Sequence, residues 1–372
     1  MKKICFLLGA GADSSIGIGT GMDFAKAVLG LEVFDKYDSA IKDYYKELNN
    51  EWYPKYKSTK WKANDLFKAA VKKYYLSKEN NENKTIDELI NEGDGKQYSL
   101  LDGKYKDYCG YMGIIDEAFH TLIYPRILGP NKFWRVIISY IRAYLFILEN
   151  CNCLQGETDF EKIHTALATP NKCYKLLEEY AKTINVDNYY EVLKNYKNSI
   201  RIVTTNYTPF CECIVEPNEE VAYIHGKLCL FENPRTLEII DISNKADGFD
   251  MNDVYFPYIS IQSGIKPIID STQIKAYKKM LDYYDESDII AVLGYQFNPD
   301  DNHLNSIIRE QIIKNNKKLV YFDYNDNNEI SREQLCTKLR IFGEKQKNIS
   351  IDIIHINESN CIESFKTFME NI

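Results

Sequence analysis

The sequence predicts an α/β protein built on a doubly wound parallel sheet and interrupted by a large helical segment. Three observations predict it. An apolar run, Ile4 to Leu8, stops in Gly9-Ala10-Gly11-Ala12-Asp13, and a second glycine cluster, Gly17-Ile18-Gly19-Thr20-Gly21, follows it. Further short apolar runs, Ile200 to Val203, Val221 to Ile224, Asp288 to Leu293 and Lys318 to Phe322, each end in polar or glycine-containing residues. Between these two groups the chain turns rich in tyrosine and lysine, with apolar residues at helical spacing.

Taken in order, Ile4 to Leu8 reads as the first strand, the glycines as a loop and Met22 to Leu29 as a helix. Glycine lets a backbone approach a ligand closely, and the free N–H groups and dipole of a following helix favour an anion such as a pyrophosphate. A strict GxGxxG is absent, because Ser14 stands where its third glycine would be, so a glycine-rich turn without a ligand is the alternative. Lys2-Lys3 and the run after them imitate a secretory signal, but the run before Gly9 is shorter than the h-region that export needs.

The middle of the chain shows helical periodicity in Asn64 to Tyr75, Phe133 to Leu148 and Cys173 to Thr183, with polar loops at Asn80 to Lys84 and Asn91 to Gly103. This predicts a helical insertion over residues 31–195 and a discontinuous nucleotide-binding domain from residues 1–30 and 196–372. Trp52, Trp61 and Trp134 read as core residues of the insertion. Arg135 and Arg142 inside the most apolar helix argue against a membrane span.

In the second half, the polar residues cluster after the strands. Open parallel sheets hold ligands just outside the C-terminal strand ends, so Asn206 in Thr204-Thr205-Asn206-Tyr207-Thr208 and His225 in His225-Gly226 are expected to face the same crevice as the first glycine loop. Gly294 and Gln296 follow the next strand, and Asp323 follows the one after. Asp323 reads either as an acceptor for a ribose hydroxyl or as a solvated turn residue. Asp300, Asp301 and His303 look like a metal cluster, but they open a helix running to Ile313 and are read as capping and surface residues.

Composition narrows the function. A formal net charge of −8 argues against broad binding to nucleic acid or acidic membranes. Ten cysteines without regular spacing, including Cys151-Asn152-Cys153 and Cys211-Glu212-Cys213, read as reduced thiols of a cytoplasmic protein, and the one-residue spacing of those pairs is too short for the usual zinc knuckle.

These motifs together resemble the sirtuin-like family: GAGxS and GIP at the start, TQNID in the middle, HG on the next strand, then GTS. The wording GxGxD, TTNYT and GYxFxxDDxH is closer to the bacterial anti-phage branch, near AbiH-type abortive-infection proteins, than to protein deacylases. The resemblance covers residues 1–30 and roughly 195–330. It implies a Rossmann-type fold and an NAD glycohydrolase that releases nicotinamide and ADP-ribose and depletes NAD during phage infection. It also implies a homo-oligomer or a partner such as a HerA-like ATPase. Asn206 would position water and ribose, and His225 would act as base. Gly9, Ala10, Gly11, Ala12, Asp13, Gly17 and Thr20 would line the pyrophosphate, Thr204 and Thr205 would support that loop, and Gly294, Gln296 and Asp323 would lie on the adenosine side.

Departures from the family pattern are specific. No CxxC pair occurs, so no zinc and no other metal is expected. Thr208 replaces the aspartate of TQNID, Gly19 the proline of GIP, and Asp13 stands where deacylases carry serine. Asp13 either orients the ribose or caps the following turn. Two other uses of such a pocket stay open: transferase, cyclase or deacylase chemistry, and a non-catalytic NAD or ADP-ribose sensor that regulates a partner.

Overall fold

The computed structural model describes residues 2–19, 142–158, 170–232, 239–243, 256–259, 271–325 and 329–372, with isolated positions between them. The chain divides into two compact units, one formed by Met1–Met22, Leu177–Lys227 and Ile268–Ile372, the other by Asp23–Leu176 and Leu228–Pro267.

The first unit holds, in chain order, β1 (Ile4–Leu8), α1 (Ala10–Ser14), the end of α2 (Pro170–Thr183), α3 (Tyr189–Lys194), β2 (Ile200–Thr204), α4 (Phe210–Val215) and β3 (Ala222–Tyr223). After β4 (Gly226–Glu232), β5 (Ile239–Asp241) and β6 (Phe256–Ile259) the chain returns to it as α5 (Ser271–Glu286), β7 (Ile289–Leu293), α6 (Asn302–Ile313), β8 (Lys318–Tyr324), α7 (Arg332–Lys338), β9 (Ile351–Ile356) and α8 (Cys361–Glu370).

Six of these strands form one sheet in the order β3-β2-β1-β7-β8-β9, and every pair is parallel. The order is that of a doubly wound Rossmann-type sheet, and it reverses between β1 and β7. Leu8 stands level with both Thr204 and Leu293, so the loops after β1, β2 and β7 leave the sheet side by side.

Both faces of the sheet are covered, which is why β1 and β7 are unbroken apolar runs, buried at every position. On one face Cys5, Leu7, Ile290, Val292 and Leu319 share a core with Tyr277, Met280 and Tyr284 of α5 and Leu304, Ile308 and Ile312 of α6. On the other, Phe365 of α8 meets Phe6 and Phe322 edge-on at ring-centroid distances of 5.8 and 5.3 Å, and Tyr189 of α3 at 5.3 Å. Local signals set the helix ends: Asn188 accepts from Glu191 N at 3.0 Å to start α3, and Ser331 with Gln334 closes a capping box on α7.

Within the second unit, residues 142–150 are helical and β4 lies between β5 and β6, antiparallel to β5. Tyr144 and Phe231 pack edge-on at 6.0 Å. The division runs differently from the expected domains: residues 177–195 belong with the parallel sheet, and 228–267, with their strands, belong with residues 23–176. The expected helix at Asn64 to Tyr75, the loops at Asn80 to Lys84 and Asn91 to Gly103, Trp52, Trp61, Trp134 and Thr20 lie outside the described residues. The helix expected over Met22 to Leu29 is described only at Asp23, Phe24 and Ala27, which are helical.

All nine described cysteines are free thiols, and burial pushes those of Cys173 and Cys213 up to about 12. Among the described residues no helix is long and apolar enough to cross a membrane.

Candidate active site

The glycines after β1 bring that loop into backbone contact with the loop after β7. Gly9 N donates to Leu293 O at 2.9 Å, Gly11 N to Gly294 O at 3.0 Å, and Ala12 N to Gly9 O at 2.9 Å. These three amides bind protein carbonyls and fix the course of the loop. A Cβ on Gly9 would sit 2.4 Å from Gly294 O, one on Gly11 2.7 Å from Gly294 Cα, and one on Gly294 2.4 Å from Ala12 N. The small residues let the β1 and β7 loops cross in backbone contact at the strand-order reversal. Helix α1, which includes Ala10, spans five residues, too short to carry a strong dipole. Gly17 is of another kind: its φ is +87° and open space surrounds it, so it serves a left-handed turn.

The loop after β2 is tied to the same place. Thr204 Oγ1 donates to Leu8 O at 3.1 Å and accepts from Asn206 N at 3.0 Å, and Thr205 N also donates to Leu8 O at 2.9 Å. Thr204 and Thr205 therefore support the loop. Asn206, buried, donates Nδ2 to Gly9 O at 3.0 Å, which fixes the orientation of its amide.

Asp13 neither caps a turn nor reaches solvent. Its carboxylate is buried and accepts from the Tyr190 hydroxyl on Oδ1 and from Thr208 Oγ1 on Oδ2, the latter at 2.6 Å. Burial pushes its pKa up to about 6, against the pull of hydrogen bonds from Thr208, Tyr190 and Asn206. The folded chain thus holds this proton more tightly than the unfolded chain, whose carboxyl titrates near 3.8. Stability from this group is complete below about pH 4 and is lost as pH rises to about 6, where ionisation costs the fold about 3 kcal/mol. Asp13→Asn is expected to gain stability relative to wild type as pH rises from 4 to 7, measured as the difference in urea-unfolding free energy. Parallel curves for the two proteins would refute the assignment.

His225 follows the two-residue strand β3, which pairs with β2 through Val203 and Ala222, and Gly226 with φ +90° turns the chain sharply after it. Its imidazole is 3% exposed, and Nε2 lies 3.3 Å from Asp301 Oδ1. Asp301 was expected to cap α6 at the surface. It occupies the N-cap position but makes no side-chain cap hydrogen bond, and it is buried beside His225. His303 joins them: one side-chain nitrogen or oxygen from each of the three lies within 4.8 Å of the others. His303 Nε2 is also 2.6 Å from the Tyr277 hydroxyl.

The loop that delivers Asp301 is bent by force. Gly294 has φ +70° and Phe297, buried, has φ +53°, a left-handed conformation that bulky side chains rarely adopt. Packing holds it there: the Phe297 ring meets Tyr295 and Tyr321, each at 5.4 Å. Tyr295 donates to Asn305 Oδ1 at 2.9 Å, and Asn305 Nδ2 donates to Asn298 O at 2.8 Å, which closes the loop onto α6.

The adenosine-side candidates behave less uniformly. Gln296 is exposed, and its carbonyl accepts from Lys338 Nζ at 3.2 Å. Asp323 is buried rather than solvated; its Oδ2 accepts from Ile330 N at 2.8 Å and lies 3.2 Å from His355 Nδ1. Its first task is therefore to hold the loop before α7. Sequence reading missed Tyr190, one of 29 tyrosines with no motif around it, and misassigned Asp301, whose signal was the Asp-Asp-Asn-His run.

No protein-family model matches the chain, and no curated protein sequence matches it. Solved structures do. Sir2Tm bound to a propionylated peptide aligns with a TM-score of 0.31 and 14% identity, covering 56% of this chain and 81% of that one. A complex of a Sir2 homolog with NAD aligns with a TM-score of 0.33 and 10% identity over 55% of this chain and 72% of its own. A complex of Sir2 with a p53 peptide and NAD+ gives 0.32, 14%, 56% and 80%. The chain is thus similar, over little more than half its length, to Sir2 structures.

Proposed function

We propose that the chain is an NAD glycohydrolase that cleaves the bond between nicotinamide and ribose. The observation that carries this reading is the convergence of Asn206 and His225 on the C-terminal ends of neighbouring strands, beside the β1 loop at the strand-order reversal. The chemistry needs a water or ribose hydroxyl deprotonated while positive charge develops on the ribose. Asn206, its amide nitrogen held by Gly9 O, orients the ribose and the attacking water. His225 takes a proton from the water, the water oxygen bonds to the anomeric carbon, and the C–N bonding pair leaves with nicotinamide. Asp13, buried and hydrogen-bonded by Thr208 and Tyr190, is ionised above about pH 6 and there supplies negative charge near Asn206, which favours a cationic substrate.

Action in phage defence through NAD depletion, and assembly as a homo-oligomer or with an ATPase partner, belong to this proposal by resemblance of motifs. The test is to incubate the purified chain with NAD, alone and with phage-infected lysate, and to follow nicotinamide by chromatography. Release with free ADP-ribose is expected. Cyclic ADP-ribose or acyl-peptide turnover would reassign the chemistry, and bound NAD without release in any condition would make the protein a sensor.

A further inference from the structure

His225 of the HG motif and Asp301 of the GYxFxxDDxH run meet in the structure, and the strained loop after β7 builds their pairing. Resting on the reading of His225 as the base, we propose that Asp301 is its positioning residue: it holds the imidazole with the proton on Nε2, presents Nδ1 as the basic nitrogen, and faces the imidazolium once Nδ1 has taken a proton.

Several observations converge on this. Nε2 of His225 and Oδ1 of Asp301 are 3.3 Å apart, and both residues are buried, 3% and 4% exposed. In such surroundings a carboxylate acts on its neighbour with little screening by water. Asp301 forgoes the capping bond that its place before α6 offers. Its position depends on a left-handed Phe297 and on the Tyr295, Asn305 and Asn298 bonds. Backbone strain of this kind persists where the surroundings over-determine it, and it collects at functional sites. The distance is also what a base and its orienting carboxylate show before substrate tightens them.

An O–H bond of the attacking water breaks as its proton passes to Nδ1, the water oxygen bonds to the anomeric carbon of the ribose, and the C–N bond breaks with its electron pair leaving on nicotinamide; the resulting imidazolium charge lies opposite the Asp301 carboxylate. Among the described residues, the titratable groups facing the pair include His303 on α6, Tyr277 on α5 and Tyr295 in the β7 loop. His303 is held by the Tyr277 hydroxyl, and burial raises the pKa of both tyrosines, so they stay neutral in the working range.

The test uses the full chain and Asp301→Asn, which keeps shape and removes charge. Histidine ring nitrogens labelled with 15N are followed by NMR against pH; the chain has five histidines, and His225→Gln assigns the signal. His225 is expected to carry its proton on Nε2 in wild type and to lose at least about one pH unit of proton affinity in Asp301→Asn, a tenfold change. In nicotinamide release, kcat should fall about tenfold or more with KM changed far less, and the acid limb of the pH profile should move to lower pH. An unchanged His225 titration in Asp301→Asn would overturn the proposal, as would one zinc per purified chain that is lost in that variant. Because the titration needs no turnover, a wild-type protein that releases no nicotinamide would refute the glycohydrolase reading while the pairing is still measured.

Discussion

His225→Ala and Asn206→Ala are each expected to lower nicotinamide release by about a hundred- to ten-thousand-fold, the range for removing a general base or a group that orients the reacting atoms. The two losses arise differently. His225→Ala removes the proton acceptor, so kcat falls and the pH dependence of release flattens. Asn206→Ala frees Gly9 O from its 3.0 Å partner and costs about 1 kcal/mol of stability as well. Because the proposed mechanism puts both residues in one step, the double variant should be little worse than the poorer single one. Urea unfolding of each protein checks that it is folded, and a single variant turning over at the wild-type rate would remove that residue from the mechanism.

Gly294→Ala is expected to cost more than about 3 kcal/mol, the largest stability effect of any small substitution at the site. The new methyl would lie 2.4 Å from Ala12 N and 2.7 Å from Gly11 Cα, both main-chain atoms, on a backbone with φ +70°. No side chain can rotate away to relieve it. Gly9→Ala meets the same crossing from the other side, 2.4 Å from Gly294 O. Gly17→Ala is the control: φ is +87° but nothing lies within 4 Å, so only the conformational term of about 1 kcal/mol applies. Urea midpoints measure all three, and a Gly294→Ala protein as stable as Gly17→Ala would show that the loops do not need this contact.

The glycines also show how far the sequence could be read. Strands β1 and β7 were legible because they are unbroken apolar runs in a sheet covered on both faces, and β2 and β8 because their largely apolar stretches end in polar residues at the C-terminal edge. Strand β9 was not, because Ile351-Asp352-Ile353-Ile354-His355-Ile356 is an edge strand broken by two polar residues, with no motif after it. The glycine after a strand was legible as a need for space, but a sequence does not say whether a ligand or another backbone fills that space. Asp13 and Thr208 illustrate the same limit. Each looked like a separate departure from the sirtuin-like pattern, yet the two meet at 2.6 Å, with carboxylate and hydroxyl exchanged between the positions. Tyr190 enters the site from a helix placed in the insertion by its composition, which no local spacing would reveal.

The bonds from Gly9 and Gly11 to β7, from Thr205 and Thr204 to Leu8, and from Asn206 to Gly9 join three loops that are far apart in sequence. Their amides should therefore exchange with deuterium together, at the slow rate of the sheet rather than the fast rate of separate surface turns. A ligand arriving at this wall would find it already ordered, and would lose little affinity to freezing it. Changes in ligand structure would then be felt as fit or misfit, with no soft loop to absorb the difference.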